Sequence, residues 1–97
     1  MRVSHIYDIL DDVKVLRVHR AVTKELEKLD PRTKRKLADL FALLMAGESL
    51  GMPVSRPMPD VAHGVHELRV QGRGGQHRAF YYVKTKEAVL VPHFFKK

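Results

Sequence analysis

Three short runs near the end of the chain are rich in the β-branched and aromatic residues that favour β-strands, and each carries a cation inside it or just past its end. The three runs cover residues 64–70, 77–83 and 88–95. They are separated by Gly72-Arg73-Gly74-Gly75 and by Lys84-Thr85-Lys86-Glu87, which have hairpin-like lengths. The pattern therefore predicts two consecutive hairpins and an antiparallel sheet.

Two helices are predicted before these strands, because the hydrophobic period becomes helical after His19. The apolar face of the first helix consists of Val22, Leu26 and Leu29. Asp30 and Pro31 start the second helix, since aspartate caps helix N-termini and proline suits the first helical position. Gly47 is predicted to end this helix. Its apolar stripe consists of Leu37, Leu40, Phe41, Leu44 and Met45.

Two further segments complete the predicted order of elements. Residues 12–18 alternate in part and predict an edge strand ahead of the helices. Residues 48–63 are predicted to be an irregular connector, because prolines such as Pro53 and Pro57 exclude a helix and a central strand. The order β-α-α-β-β-β predicts an α+β fold of one domain, residues 1–97, with an N-terminal helical hairpin over one face of the sheet.

The chain is strongly basic, with 18 lysines and arginines against 11 acidic residues and a net charge of +7. This balance favours nucleic acid, an anionic surface or an acidic protein as partner, although a basic protein without an anionic ligand has the same composition. The absence of cysteine excludes a disulfide scaffold and cysteine-based metal or redox sites. The longest apolar run, residues 40–46, is far shorter than a membrane span, so we expect a cytoplasmic location.

Two predicted strands bring charged and aromatic side chains to the face that the helices leave open. The strand period places Glu67 and Arg69 on that face and Leu68 on the other. This acidic and basic pair fits either a solvated surface ion pair or part of a phosphate site. In the next strand, Arg78 and Tyr82 share a face. They fit either a half-buried aromatic strand or a site where a tyrosine stacks on an extruded base and an arginine holds phosphate.

The last predicted strand ends in a histidine and two lysines. His93 is a candidate for proton transfer, because the reference pKa of histidine lies near neutrality, although a hydrogen-bonded histidine at the sheet edge fits equally well. Lys96 and Lys97 fit either a cationic site or a solvated tail. His63 and His66 have a spacing that metal ligands use, but nothing in the sequence supplies a third ligand, so no metal site is predicted.

Three segments of the strand region carry motifs in register. They are Gly64-Val65-His66-Glu67-Leu68-Arg69, His77-Arg78-Ala79-Phe80-Tyr81-Tyr82 and His93-Phe94-Phe95-Lys96-Lys97. This set resembles the HigB-like, phage-derived branch of the RelE/ParE toxin superfamily, which typically reads G-L-Y-E-L-R, Y-R-x-F-Y and H-x-F-x-K-K at these places. The paired helices come before these motifs in the same order, so the resemblance extends from about Val18 to Lys97.

The resemblance implies a small twisted antiparallel sheet packed against a helical hairpin. It also implies the toxin of a type II toxin–antitoxin system, an endoribonuclease that cuts mRNA and commonly acts on the ribosome. The expected partners are mRNA and a cognate antitoxin of helix-turn-helix type, with no membrane, cofactor or metal ion.

The resemblance also implies roles for individual residues. By position, Arg69, Arg78 and Lys97 match the catalytic cations of RelE-type toxins. Proton transfer is expected from His93 or from a lysine whose pKa is lowered by the surrounding cations. A ribose 2′-hydroxyl would attack the neighbouring phosphorus, and the arginines would stabilise the extra negative charge of the phosphorane. The residues expected to bind RNA are Glu67, Arg73, Tyr82 and Lys96.

Two other functions stay open. ParE-type members of the superfamily poison DNA gyrase by binding it, and a fold alone does not choose between the two activities. The strand-borne Arg69 and Arg78 favour the nuclease. Relatives usually continue beyond the position of Lys97 into a further segment, which makes a non-catalytic RNA- or antitoxin-binding module the third alternative.

Overall fold

The fold is built on a five-stranded sheet with two helices packed on one of its faces. The structure is a computed structural model and describes residues 14–84 and 87–96. The strands are β1 (Val15–Val18), β2 (Ser55–Pro57), β3 (Val65–Gly72), β4 (Gly75–Lys84) and β5 (Ala88–Lys96). The helices are α1 (Arg20–Glu27) and α2 (Pro31–Met45). The α+β class predicted from the sequence is confirmed.

The helices begin where their capping residues predict. Asp30 caps α2 with both carboxylate oxygens, accepting from the backbone N of Thr33 at 3.1 Å and from its hydroxyl at 2.7 Å. These hydrogen bonds hold the pKa of Asp30 below its usual value. Pro31 occupies the start of the helix, and Gly47 follows its end with a φ of 90°, a conformation in which glycine avoids strain. Within the described residues, neither helix is long and apolar enough to cross a membrane.

The two predicted hairpins are present and form the middle of the sheet. Strands β3 and β4 pair from Val65↔Tyr82 to Gly72↔Gly75, so only Arg73 and Gly74 lie in the turn. Gly74 has a φ of 77°, which the tight turn requires and which glycine adopts at little cost. Strand β4 pairs with β5 in the same antiparallel sense. The glycine-rich segment therefore serves as a hairpin tip, as predicted.

The prediction of a purely antiparallel sheet is wrong, because β1 pairs with β5 in parallel. The register runs from Val15↔Ala88 to Val18↔Val91 and places β1 at one edge of the sheet order β1-β5-β4-β3-β2. The predicted edge strand is therefore confirmed for residues 15–18, whereas residues 12–13 lie outside the described part of the chain. Hairpin signals report only strands that are close in sequence, so they carry no information about this pairing between distant segments.

The prediction that residues 48–63 are entirely irregular is also wrong. Ser55–Pro57 form the short strand β2, which pairs antiparallel with β3 at the other edge of the sheet. Proline is tolerated there because an edge strand leaves one row of its backbone groups outside the ladder. The consequence for the site is that β3 is an interior strand, covered by β2 on one side and by β4 on the other.

The hydrophobic core lies between the helices and one face of the sheet. The helix residues of the core cluster are Val22, Leu37, Phe41 and Leu44. The sheet residues of this cluster are Leu68, Val70, Ala79, Tyr81, Val89 and Val91. Full burial of each large apolar side chain stabilises the fold by about 1.5–3 kcal/mol. The other side of β3, β4 and β5 is called the open face here, and it carries Glu67, Arg69, Gln76, Arg78, Phe80, Tyr82, His93 and Phe95.

A buried hydroxyl pair links β2 to the core. The hydroxyls of Ser55 and Tyr81 form a hydrogen bond, and the two residues are 1% and 3% exposed. Burial raises the pKa of Tyr81, which keeps its hydroxyl available as a donor. We expect Tyr81→Phe to lower the free energy of unfolding by about 1–2 kcal/mol, because it leaves the Ser55 hydroxyl buried without this partner.

Urea unfolding of Tyr81→Phe, Ser55→Ala and the double variant measures this contribution. The double variant should lose less stability than the sum of the two single variants, since it removes both polar groups. Fully additive losses would show that the two hydroxyls do not stabilise each other.

Candidate functional site

Two arginines face each other at the centre of the open face. Arg69 on β3 and Arg78 on β4 are direct register partners, and their side chains are 22% and 16% exposed. Like charges directly opposite on neighbouring strands repel each other. Two guanidinium groups on directly paired residues therefore need a countercharge.

Glu67 supplies the countercharge from beneath the two arginines. Its carboxylate lies 3.6 Å from Arg69 Nε and 3.3 Å from Arg78 Nη1. The contact with Arg78 is a hydrogen bond, whereas Arg69 Nε has no hydrogen-bond partner among the described residues. The arrangement is an Arg–Glu–Arg triad with a net charge of +1.

The expectation that Glu67 is solvent-exposed is wrong, because its side chain is only 2% exposed. Its register partners are Phe80 on β4 and Arg56 on β2, so strands flank it on both sides. The structure places Glu67 against the two arginines, and its contact with RNA stays a prediction.

Gln76 is a member of the site that the sequence reasoning missed. Its Oε1 accepts hydrogen bonds from Arg78 Nε at 3.0 Å and from Arg78 Nη2 at 2.7 Å. The signal was present in the sequence, because Gln76 precedes Arg78 by two residues and the strand period places both on one face.

An aromatic cluster borders the arginines on the side of β5. The ring of His93 lies 5.7 Å from that of Phe80 and 5.3 Å from that of Phe95, centroid to centroid. His93 is exposed and pairs with Phe80, while Phe95 pairs with Arg78, so His93 lies diagonally across from Arg78. The structure therefore brings His93 to the same face as the arginine pair.

Tyr82 lies on the open face but at its far end. The register between β4 and β5 shifts between Phe80 and Tyr82, so Tyr82 pairs with Leu90. Its ring covers Gly64, where an added Cβ would come within 2.7 Å of Tyr82 Cε1. Tyr82 remains 36% exposed and can stack on a base, at some distance along the strand from Arg78.

The other cations predicted for the site lie elsewhere or outside the described residues. Arg73 is at the β3–β4 hairpin tip, where it lines a cleft with Arg32 and Lys36 of α2. Lys96 pairs with His77 on the helix-covered side of the sheet, so the structure does not bring it to the arginine pair. Lys97 lies outside the described part of the chain. In residues 14–84 and 87–96 no group of three or more acidic or histidine side chains has the arrangement of a metal site.

One family model matches most of the chain. Residues 24–97, more than half of the chain, match the family described as phage derived protein Gp49-like. The chain belongs to the Gp49-like family. This is a family of RelE/HigB-like toxins, so the superfamily predicted from the three motifs is confirmed, while the HigB-like branch stays a prediction.

The Gp49-like protein also shares its fold with a solved toxin structure. It is similar to a double arginine-to-alanine mutant of the E. coli toxin RelE in the free state, with a TM-score of 0.53 and 20% sequence identity. The match covers 87% of this chain and 83% of that chain. At this identity the likeness establishes the fold alone. The curated proteins contain no significant match to the chain.

The stability of this Gp49-like protein is expected to fall as the pH is lowered from about 8 to about 5, through the reference pKa of histidine. His77 is 5% exposed and stacks on Phe94 at 5.8 Å, and burial, with the nearby Lys96 charge, lowers its pKa. As the pH falls below about 6.5, the unfolded chain binds a proton at this histidine before the folded chain does. The free energy of unfolding therefore decreases.

Urea unfolding at several pH values tests this for the wild type and for His77→Phe, which keeps an aromatic ring but does not titrate. The variant should show a smaller loss of stability on acidification. An unchanged pH dependence would mean that another group is responsible.

Proposed function

We propose that this Gp49-like protein is the toxin of a type II toxin–antitoxin system and that it cuts mRNA as an endoribonuclease. The observation that carries the proposal is the pair of opposed arginines, Arg69 and Arg78, held on an open face by one buried carboxylate. Membership in a family of RelE/HigB-like toxins supports the toxin class.

The chemistry that suits this pair is transesterification at phosphorus. The ribose 2′-oxygen forms a bond to the adjacent phosphorus, its proton passes to a base, and the bond to the 5′-oxygen of the next nucleotide breaks as that oxygen gains a proton. The phosphorane carries one more negative charge than the phosphodiester. Two guanidinium groups stabilise this charge through charge-assisted hydrogen bonds that strengthen as it develops.

The surrounding residues take supporting roles in the proposal. His93 transfers protons, because it is exposed on the face of the arginines and imidazole is the side chain that most often serves as a general acid or base. Lys97 is proposed as a third catalytic cation. Tyr82 stacks on a base, and Arg73 and Lys96 contact phosphates that lie farther along the RNA. No metal ion is required, since the charge on the phosphorane is balanced by side chains.

The proposed partners are those that the likeness to RelE-type toxins implies. The mRNA is bound on the ribosome, and a cognate antitoxin of helix-turn-helix type covers the basic open face when the toxin is inactive. An acidic segment of the antitoxin would pair with the arginines as the phosphate does. The cytoplasm, where mRNA is translated, is the proposed location.

A pair of assays separates the nuclease from a ParE-type gyrase inhibitor. In the first, primer extension locates cuts in an mRNA translated in a purified system, and in the second, supercoiling by gyrase is measured with the same protein. We expect new mRNA ends and unchanged supercoiling. Inhibited gyrase with intact mRNA would instead identify a gyrase poison.

A binding measurement addresses the non-catalytic alternative. If the protein only binds RNA, the intact strand should be retained, with an affinity that falls steeply as salt is raised. Retention without any new RNA ends would contradict the proposed enzyme.

A further inference from the structure

Gln76 fixes the orientation of Arg78 on the open face. An arginine side chain only donates hydrogen bonds, so the atom of Gln76 that meets Arg78 is its carbonyl oxygen, Oε1. That oxygen accepts from two nitrogens of the same guanidinium group, at 3.0 Å from Nε and 2.7 Å from Nη2. Two contacts to one planar group define the plane in which Arg78 lies.

Gln76 and Glu67 together use only some of the N–H donors of Arg78. An arginine side chain carries one N–H on Nε and two on each terminal nitrogen. Gln76 takes the Nε donor and one donor of Nη2, and Glu67 takes one donor of Nη1 at 3.3 Å. One N–H therefore remains on each terminal nitrogen, which is enough for a phosphate to accept two hydrogen bonds from Arg78.

The amide nitrogen of Gln76 carries two further donors. It is attached to the same carbon as Oε1, so fixing Oε1 on Arg78 also fixes the direction of the N–H groups. None of the hydrogen bonds among the described residues uses these donors. Gln76 is half-buried, so part of the residue is exposed to solvent.

We propose that Gln76 is a further substrate-binding residue of this site, which positions Arg78 through Oε1 and donates from Nε2 to the same RNA phosphate. The inference rests on the proposed function, since it takes the anion at Arg78 to be a phosphodiester of RNA. Gln76 therefore has two roles that can be separated. A variant that keeps an acceptor oxygen but has no amide N–H should still orient Arg78 but should no longer donate to the phosphate.

The test compares substitutions at Gln76 with the same substitutions at Gln71. Gln71 is the direct register partner of Gln76 on β3, so it carries the same side chain one strand away, and it makes no side-chain hydrogen bond to Arg78 in the described residues. The readouts are the affinity for a short 2′-O-methyl oligoribonucleotide, which cannot be cleaved, and the cleavage of a translated mRNA. The melting temperature of each variant confirms that it is folded.

Alanine substitution tests the whole contribution of the side chain. Gln76→Ala should weaken oligonucleotide binding about tenfold, the effect of losing a hydrogen bond to a charged group, and should lower cleavage at least as much. Gln71→Ala should stay within about twofold of the wild type, since it removes no such bond. Equal effects of the two substitutions in both readouts would overturn the proposal.

Glutamate substitution separates the donors from the positioning role. Gln76→Glu keeps an oxygen for Arg78 but has no amide donors, and Gln71→Glu adds the same charge one strand away. Binding that stays weaker for Gln76→Glu than for Gln71→Glu at high salt, where repulsion by the added charge is screened, supports the donor role. Equal weakening would overturn it and leave Gln76 as a residue that only positions Arg78.

The variant Arg78→Ala distinguishes a failure of the proposed role of Gln76 from a failure of the proposed endoribonuclease function. Loss of binding and cleavage in Arg78→Ala, with Gln76→Ala unchanged, would reject the role of Gln76 and keep the proposed function. Wild-type behaviour of Arg78→Ala would reject the proposed function as well.

Discussion

Replacing Arg78 with alanine is expected to lower the rate of RNA cleavage about 100-fold to 1,000-fold, the cost of removing a donor that stabilises an oxyanion. Arg78 is 16% exposed and held by Glu67 and Gln76, so its remaining donors are already oriented before a ligand binds. Preorganised donors of this kind do not have to reorganise during the reaction. Arg69→Ala should have an effect of similar size, because Arg69 lies directly opposite on β3.

The measurement is the rate of appearance of new mRNA ends at saturating protein. Arg35→Ala is the matched control, since it removes the same side chain from α2, where it is 82% exposed and pairs only weakly with Asp39 at 3.8 Å. Cleavage by this control should equal that of the wild type. Arginine variants of the open face that still cut at the wild-type rate would exclude the arginine pair from the chemistry.

Replacing Glu67 with alanine is expected to lower the free energy of unfolding by about 3 kcal/mol, the cost of leaving buried charges without their partner. The two guanidinium groups that Glu67 bridges are direct register partners and mostly covered, so they would repel each other without it. Urea unfolding measures the loss. Glu67→Gln should lose less stability, because the amide oxygen still accepts a hydrogen bond and fills the same volume.

Two controls show whether the loss comes from uncompensated charge. Glu25→Ala breaks an exposed salt bridge of 3.2 Å to Lys28 and should cost well under 1 kcal/mol. In an Arg78→Ala background, Glu67→Ala should cost less than in the wild type, since one of the two repelling charges is already gone. An equal cost in both backgrounds would show that the carboxylate stabilises the fold by packing alone.

Local signals in the sequence predicted the helices and the hairpins. Asp30 and Pro31 start α2, and Gly74 lies in the turn between β3 and β4. Each of these residues acts through its own backbone or through neighbours a few positions away. Such short-range chemistry can be read directly from the order of residues.

Pairings between distant segments could not be predicted in this way. The parallel contact of β1 with β5 and the addition of β2 beside β3 depend on where the whole chain folds back. The burial of Glu67 is a consequence of the second pairing, because β2 turns β3 into an interior strand. A carboxylate that was expected at the surface is therefore a buried counter-ion.

Part of the site could have been predicted more fully from the strand period alone. His93 and Lys96 are both predicted to belong to the site at the end of β5. The alternation of side chains along the strand, however, places them on opposite faces of the sheet. The same period places Gln76 beside Arg78. The side-chain hydrogen bonds that make Gln76 important require the three-dimensional arrangement.

The chemical nature of the RNA ends tests the central claim most directly. An mRNA cut in a purified translation system by the wild-type protein, and by the Arg69→Ala/Arg78→Ala variant as reference, can be analysed for the groups at the new ends. Attack by the 2′-hydroxyl predicts a 2′,3′-cyclic phosphate on one fragment and a 5′-hydroxyl on the other, both absent with the variant. Intact mRNA with a folded wild-type protein, or ends with a 3′-hydroxyl and a 5′-phosphate, would contradict the account.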